Sequence, residues 1–300
     1  MTGKPLSWWP ATAALATLLL ALTGSSYKPI VLDRTYNHDK YLTRPADIVR
    51  EFRAYVVSFD GPDDDDGNGT EDRWGIPEWV AYEIKQHPNP PTSGPARPDW
   101  FTDPPLNELG IAPTDATYHF SQEWRDEDPT SPQLGYDRGH LCMKLIAFRL
   151  GVDADWNTHV VLNACPQKSL LNQGIWLDLE EKTAKWADEF GHVWVVCGPV
   201  IYGHIVKGWL GQEGEMKIAI PDAFFKIVIK ESATPNRPDV LAFIYPQEHP
   251  QYTKSGPFDH TLFLKSVDDV EQATGLDFLM LLPDQDEAAV ETAPAEGLWE

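Results

Sequence analysis

Apolar positions along the chain fall into short blocks whose spacing alternates between two residues and nearly four. The stretch "IVREFRAYVVSFDG" (48–61) opens the ordered part, and its "AYVVSF" has the β-branched, aromatic character of a strand. "IPEWVAYEI" (76–84), with Trp79, Ala81 and Ile84, predicts a second strand, after which the Pro-rich "HPNPPTSGPARPDW" (87–100) ends regular structure and predicts a long connector. "NTHVVLNACPQ" (157–167) predicts a strand ending at Pro166, and "LLNQGIWLDLEEKTAKWADEFG" (170–191) a helix stopped by Gly191. Three strands follow, "HVWVVCGPV", "AFFKIVIK" and "VLAFIYP", separated by Gly and Pro turns. "SVDDVEQATGLDFLMLL" (266–282) then predicts an amphipathic helix or helix pair with Ser266 as N-cap. No internal repeat is present.

The flanks read differently. Residues 1–26 carry Lys4, then the apolar run "ATAALATLLLALTG" (11–24) and small residues, which fit an export signal or an uncleaved N-terminal anchor better than a full membrane span. The expected location is therefore extracytoplasmic, secreted or periplasmic, or anchored by that segment. Residues 27–46 are polar without clear period and read as a linker into a domain spanning 47–283; residues 284–300 read as a loose acidic tail.

With 24 basic and 46 acidic residues, the chain has a net charge of −22, the wrong sign for gripping nucleic acid through a global field. Much of that excess is local. The loop insertion 60–72 holds seven acids and the tail 284–300 six, and removing those thirteen leaves 33 acids against 24 bases, a residual of −9. Asp64, Asp66, Asn68 and Gly69 fall at positions 1, 3, 5 and 6 of a calcium-loop pattern, but position 12 is Gly75 rather than Glu. A solvated acidic loop is the favoured reading, with Ca²⁺ binding there as the alternative. Cys142, Cys165 and Cys197 are too few for a disulfide framework, although export would allow one oxidised pair. A zinc site built on His140, Cys142 and Cys165 lacks a CxxC pair and a fourth ligand at familiar spacing.

The chemistry concentrates in "YDRGHLCMK" (136–144) and, about thirty residues on, "LNQGIWLDLEE". Asn172, Trp176 and Glu180 follow at i, i+4 and i+8, one stripe of a helix. An Asn amide oxygen near a carboxylate suits a hard, hydrated cation such as Mg²⁺ and not zinc. A neutral His140 opposite such a cation can take a proton from water, Arg138 can clamp phosphate oxygens, and Gly139 allows a close backbone approach between them. Each residue has an ordinary alternative: Asn172 a helix cap, Glu180 a solvated helix charge, Arg138 half of an ion pair, Asn163 a turn.

"DRGH" followed by "NACPQKSLLNQGIWLDLE", and then by "VVCGPV", "IPDAFFKIVI", "LAFIYP" and "VEQATGLDFL" in order, resembles the DNA/RNA non-specific endonuclease family over roughly residues 75–282. That family includes secreted bacterial nucleases and the endonuclease G branch. The resemblance implies an α+β fold with a mainly antiparallel central sheet flanked by helices and a ββα-metal (His-Me finger) active site. It implies an endonuclease acting on DNA and RNA, with Mg²⁺ as cofactor and Mn²⁺ as a substitute, and leaves a homodimer open. By position, His140 is implied as general base, Asn172 as direct metal ligand, Glu180 as holder of metal-bound waters, Arg138 as phosphate contact and Asn163 as orienting the centre. Asp137 is expected to play a structural hydrogen-bonding role. Relatives commonly carry Arg one turn after the Glu, where this chain has Ala184, which leaves one phosphate-stabilising charge to be supplied by Lys182 or Lys185. Two other readings stay open: a catalytically silent secreted binding or scaffold domain, and a phosphodiesterase with a restricted substrate.

Overall fold

A computed structural model describes residues 27–41, 43–63, 67, 69, 72–118 and 135–299. The signal-like segment 1–26 and the calcium-pattern residues Asp64, Asp66 and Asn68 lie outside the described residues. In chain order the elements are β1 (Ile48–Glu51), β2 (Val56–Phe59), β3 (Pro77–Lys85), α1 (Pro104–Glu108), β4 (Tyr136–His140), α2 (Lys144–Phe148), α3 (Val152–Trp156), β5 (Ala164–Lys168), a π-helical turn (Leu171–Trp176) running into α4 (Leu177–Phe190), β6 (His192–Val200), β7 (Trp209–Leu210), β8 (Ile218–Ala219), β9 (Ala223–Lys230), β10 (Asp239–Pro246), β11 (Leu264–Lys265), α5 (Val267–Thr274) and α6 (Asp284–Glu291).

Seven strands form one antiparallel sheet in the order β1-β2-β3-β6-β9-β10-β11. Successive side chains of a strand point to opposite faces, and here both faces are covered. Val80, Tyr82, Val193, Val195, Phe224 and Val228 pack on one side against Leu141, Cys165, Trp176 and Leu179. Trp79, Ala81, Trp194, Val196, Phe225 and Ile227 pack on the other against Val267, Val270 and Phe278. Double coverage explains why "HVWVVCGPV" and "AFFKIVIK" are near-continuous apolar runs with little alternation. The β4–β5 hairpin and α4 form the expected β, β, α unit on the first face.

One glycine sets the spacing of this sheet. A Cβ on Gly198 of β6 would lie 2.3 Å from the Glu78 carbonyl oxygen and 2.8 Å from a Phe225 ring carbon. Glu78 sits at the irregularity where β2 and β3 slip register, so the backbones approach more closely than a side chain allows. Gly198→Ala should destabilise the protein by about 1–3 kcal/mol, read as a lower urea midpoint at unchanged slope. An unchanged midpoint would show that the sheet relaxes freely there.

Several expectations are corrected. Residues 27–41 and 43–46 are held against the domain by separate side-chain anchors, which is why they show no period. Tyr27 packs on Phe52 and Phe101 with ring centroids 5.6 and 5.3 Å apart, and Trp194 Nε1 donates to the Asn37 carbonyl at 3.1 Å. The first strand pair begins earlier than "AYVVSF", at Ile48. The strand expected to end at Pro166 instead starts at Ala164 and runs through that proline to Lys168, preceded by two 3₁₀ turns. The acidic tail is not loose: α6 is helical, and Trp299 lies edge-on to Trp186 and Phe190 at 5.1 and 5.9 Å. All three cysteines are buried and unbridged. Ser266 does cap α5, in a reciprocal capping box with Asp269.

Candidate active site

His140 ends β4, where it pairs with Ala164 of β5. Arg138, two residues earlier, lies on the same face of the strand. The chain after His140 is fixed by Asn163. Its amide nitrogen donates to the carbonyls of Cys142 and Thr158 at 3.0 Å each, and its Oδ1 accepts from the Cys142 amide at 2.8 Å. Trp176 Nε1 donates to the His140 carbonyl at 3.3 Å from below. Asn163 is fully buried and away from the cavity, so it orients the strand end by holding backbone.

Asn172 and Glu180 reach the cavity by a route that a regular helix would not give. Gly174 leaves helical geometry at φ −113° and ψ −113°, and a Cβ there would sit 2.3 Å from the Thr253 carbonyl oxygen. The chain therefore enters α4 through a wide π turn, a feature found mostly at functional sites, and not as the uninterrupted helix expected from Leu170. Asp137 organises this turn. Its carboxylate accepts from Ser169 Oγ at 2.9 Å, from Asn172 Nδ2 at 3.0 Å and from Gln173 Nε2 at 2.8 Å. With the nitrogen of its amide bound by Asp137, Asn172 is left with Oδ1, an oxygen donor, to offer a ligand. Glu180 is 4 % exposed, its buried Oε1 has no hydrogen-bond partner, and Lys226 Nζ lies 3.7 Å from it. Burial, opposed by Lys226, pushes the Glu180 carboxyl up to about 7. A buried carboxylate oxygen without a hydrogen-bond partner and an Asn amide oxygen on the same cavity wall suit a hard divalent cation.

His140, Arg138, Asp137, Asn172 and Glu180 line one cavity of about 460 Å³. The remaining wall was not foreseen. The Pro-rich connector folds over the site and contributes Arg97 and Trp100, and α2 contributes Lys144. Trp100 lies 4.6 Å from the His140 ring and His159 4.9 Å from it, centroid to centroid. Burial first, then His159, Arg97, Lys144 and Arg138, hold the His140 imidazole well below its ordinary pKa, and its buried Nε2 has no hydrogen-bond partner. His140 is thus neutral at physiological pH. Arg138 pairs with Asp115 and faces the Trp100 ring at 5.6 Å.

The substitutes expected for the missing arginine are not in the cavity. Lys182 pairs with Asp178 at 3.4 Å, and neither it nor Lys185 lines the wall. The Ala184 carbonyl accepts from Arg149, which is itself bound to Asp188. Lys226 had a readable signal, a lone charge inside the apolar "AFFKIVIK". Arg97 and Trp100 had none, because nothing local in a Pro-rich connector tells which wall it will cover.

Residues 69–285 match the DNA/RNA non-specific endonuclease family. A relative named Nuclease, from Serratia marcescens, is 33% identical over 222 residues, covering 72% of this chain and 73% of its own. Mitochondrial endonuclease G of Bos taurus is 28% identical over 150 residues, 48% of each chain. A chain in the crystal structure of the EndoG/EndoGI complex superposes with a TM-score of 0.58 at 19% identity, covering 81% of this chain and 89% of that one, which shows the shared fold. With a match over most of its length and the β, β, α cavity in place, the chain belongs to the DNA/RNA non-specific endonuclease family.

Proposed function

We propose that this protein is a metal-dependent endonuclease that hydrolyses internal phosphodiester bonds of DNA and RNA with little sequence preference. Family membership supports the nuclease activity. The observation that carries the mechanism is the convergence of His140, whose Nε2 has no hydrogen-bond partner, with the Asn172 and Glu180 side chains on one cavity. His140 removes a proton from water as the water oxygen attacks phosphorus, the bond from phosphorus to the leaving sugar oxygen breaks without a covalent enzyme intermediate, and that oxygen takes a proton from a second water. Asp137 holds the Asn172 amide in the orientation that presents its oxygen. Asn172 would bind the cation directly and Glu180 through water; the cation, Mg²⁺ with Mn²⁺ as substitute, would neutralise charge developing on the phosphate. Arg97, Lys144 and Arg138 supply local positive potential, which an acidic surface beyond a Debye length of about 10 Å does not cancel.

Closed circular DNA tests this reading, because only internal cleavage opens it. The expected result is conversion to nicked and then linear forms with Mg²⁺ and none with EDTA; a substrate that stays closed with Mg²⁺ and with Mn²⁺ would overturn it. The acidity of His140 gives a second expectation. Its pKa is lowered from 6.5, so the neutral base persists as pH falls through that value. At saturating Mg²⁺ the acid limb of kcat/KM should have its midpoint below 6.5. A midpoint at or above that value would mean that another group, or an ordinary imidazole, controls the reaction. We also propose export or membrane anchoring, on the support of Lys4 and the apolar run 11–24.

A further inference from the structure

The far face of the sheet carries a group of acids that the nuclease reaction does not use. Val290 of α6 packs on the same apolar cluster as Val267 and Val270 of α5. Between the two helices, one carboxylate oxygen each from Asp268, Glu271 and Glu291 lie within 4.8 Å of one another. Glu291 is only 7 % exposed, and the Oε1 of its carboxylate is buried with no hydrogen-bond partner. An ionised carboxylate buried in this way is costly unless a cation or donor meets it. Glu271 is already occupied on one oxygen, which accepts from the Phe278 amide at 2.9 Å.

We propose that Asp268, Glu271 and Glu291 form a Ca²⁺ site that fastens α6 to α5. Three carboxylate oxygens this close fit around a single ion with oxygen ligands at about 2.3–2.6 Å, and the exposed side of Asp268 leaves room for the waters that complete six to eight ligands. Calcium suits ligands from two separate helices better than Mg²⁺, which demands near-octahedral geometry at about 2.0–2.1 Å. The site lies on a different face from the cavity and involves different residues, so it stands independently of the nuclease mechanism. Its consequence is structural. After α6 the chain returns to Trp186 and Phe190 on α4 through Trp299, so the ion would hold the whole C-terminal segment in place.

Calorimetric titration of the full chain with CaCl₂ alone tests the proposal, in parallel with Glu291→Gln and Asp268→Asn. Asp268 is exposed, so its substitution keeps the test valid even if Glu291→Gln fails to fold. The expected result is a binding equivalent, separate from any ion taken by the Asn172 cavity, with a dissociation constant of about 10⁻⁴–10⁻³ M or tighter, weakened at least tenfold in each variant that folds. Calcium should also raise the thermal midpoint of the unsubstituted protein but not of the variants, with cleavage rates at fixed Mg²⁺ unchanged. Equal Ca²⁺ affinity in all three proteins would place any bound ion elsewhere and overturn the proposal. So would the absence of binding by the unsubstituted protein at about tenfold above that concentration range.

Discussion

Replacing His140 by alanine should lower the rate of phosphodiester cleavage by roughly 10²–10⁴ while leaving the fold intact, the range expected when a general base is removed. The strand end stays anchored through atoms the substitution keeps: the carbonyl that receives Trp176 Nε1 and the pairing with Ala164. The lost ring contacts are those to Trp100, on the cavity wall, and to the buried His159. Single-turnover cleavage together with a thermal midpoint separates the two roles. A rate within tenfold of the unsubstituted enzyme would remove His140 from the chemistry, and a collapse of the midpoint would show a structural role instead.

Asn172 gives the second large effect, and its direction is the more informative part. Asn172→Ala should raise the Mg²⁺ concentration needed for half-maximal rate by at least the roughly 10–100-fold seen when partners outside a metal's own ligand set are lost. Asn172→Asp should fail as well, although a carboxylate is the stronger ligand. Its oxygens would face the Asp137 carboxylate at the place where Nδ2 now donates at 3.0 Å, and like charges at that distance disfavour the ionised pair. Pairing Asn172→Asp with Asp137→Asn restores a donor and an acceptor and should recover part of the loss. Metal titrations of the initial rate decide this. Full activity in Asn172→Asp alone would mean that Asp137 does not set the amide's orientation.

What was legible in the sequence was whatever is local. Asp137 to His140 share one strand, so spacing put Arg138 and His140 on one face, whereas the stripe read over Asn172, Trp176 and Glu180 assumed a regular helix that Gly174 interrupts. The strands were found because apolar, β-branched runs survive in a sheet buried on both faces. The π turn was hidden, because a single Gly174 pressed against the Thr253 carbonyl leaves no periodic trace. Lys226 beneath Glu180, and Arg97 and Trp100 over His140, reach the site by long-range closure of the chain. Local pattern carries nothing about such contacts. The tail misled through composition: its acids announce solvent, while Val290, Leu298 and Trp299 supply the apolar anchors that dock it.

The most direct measurement is the initial rate of cleavage of a duplex DNA and of an RNA by the purified protein, at fixed Mg²⁺, across a titration with EDTA. The account predicts that both substrates are cut at internal bonds and that both activities vanish together as free metal is removed, because one cavity serves both. Cleavage that survives chelation, or a protein that cuts neither substrate with Mg²⁺ or Mn²⁺, would contradict it.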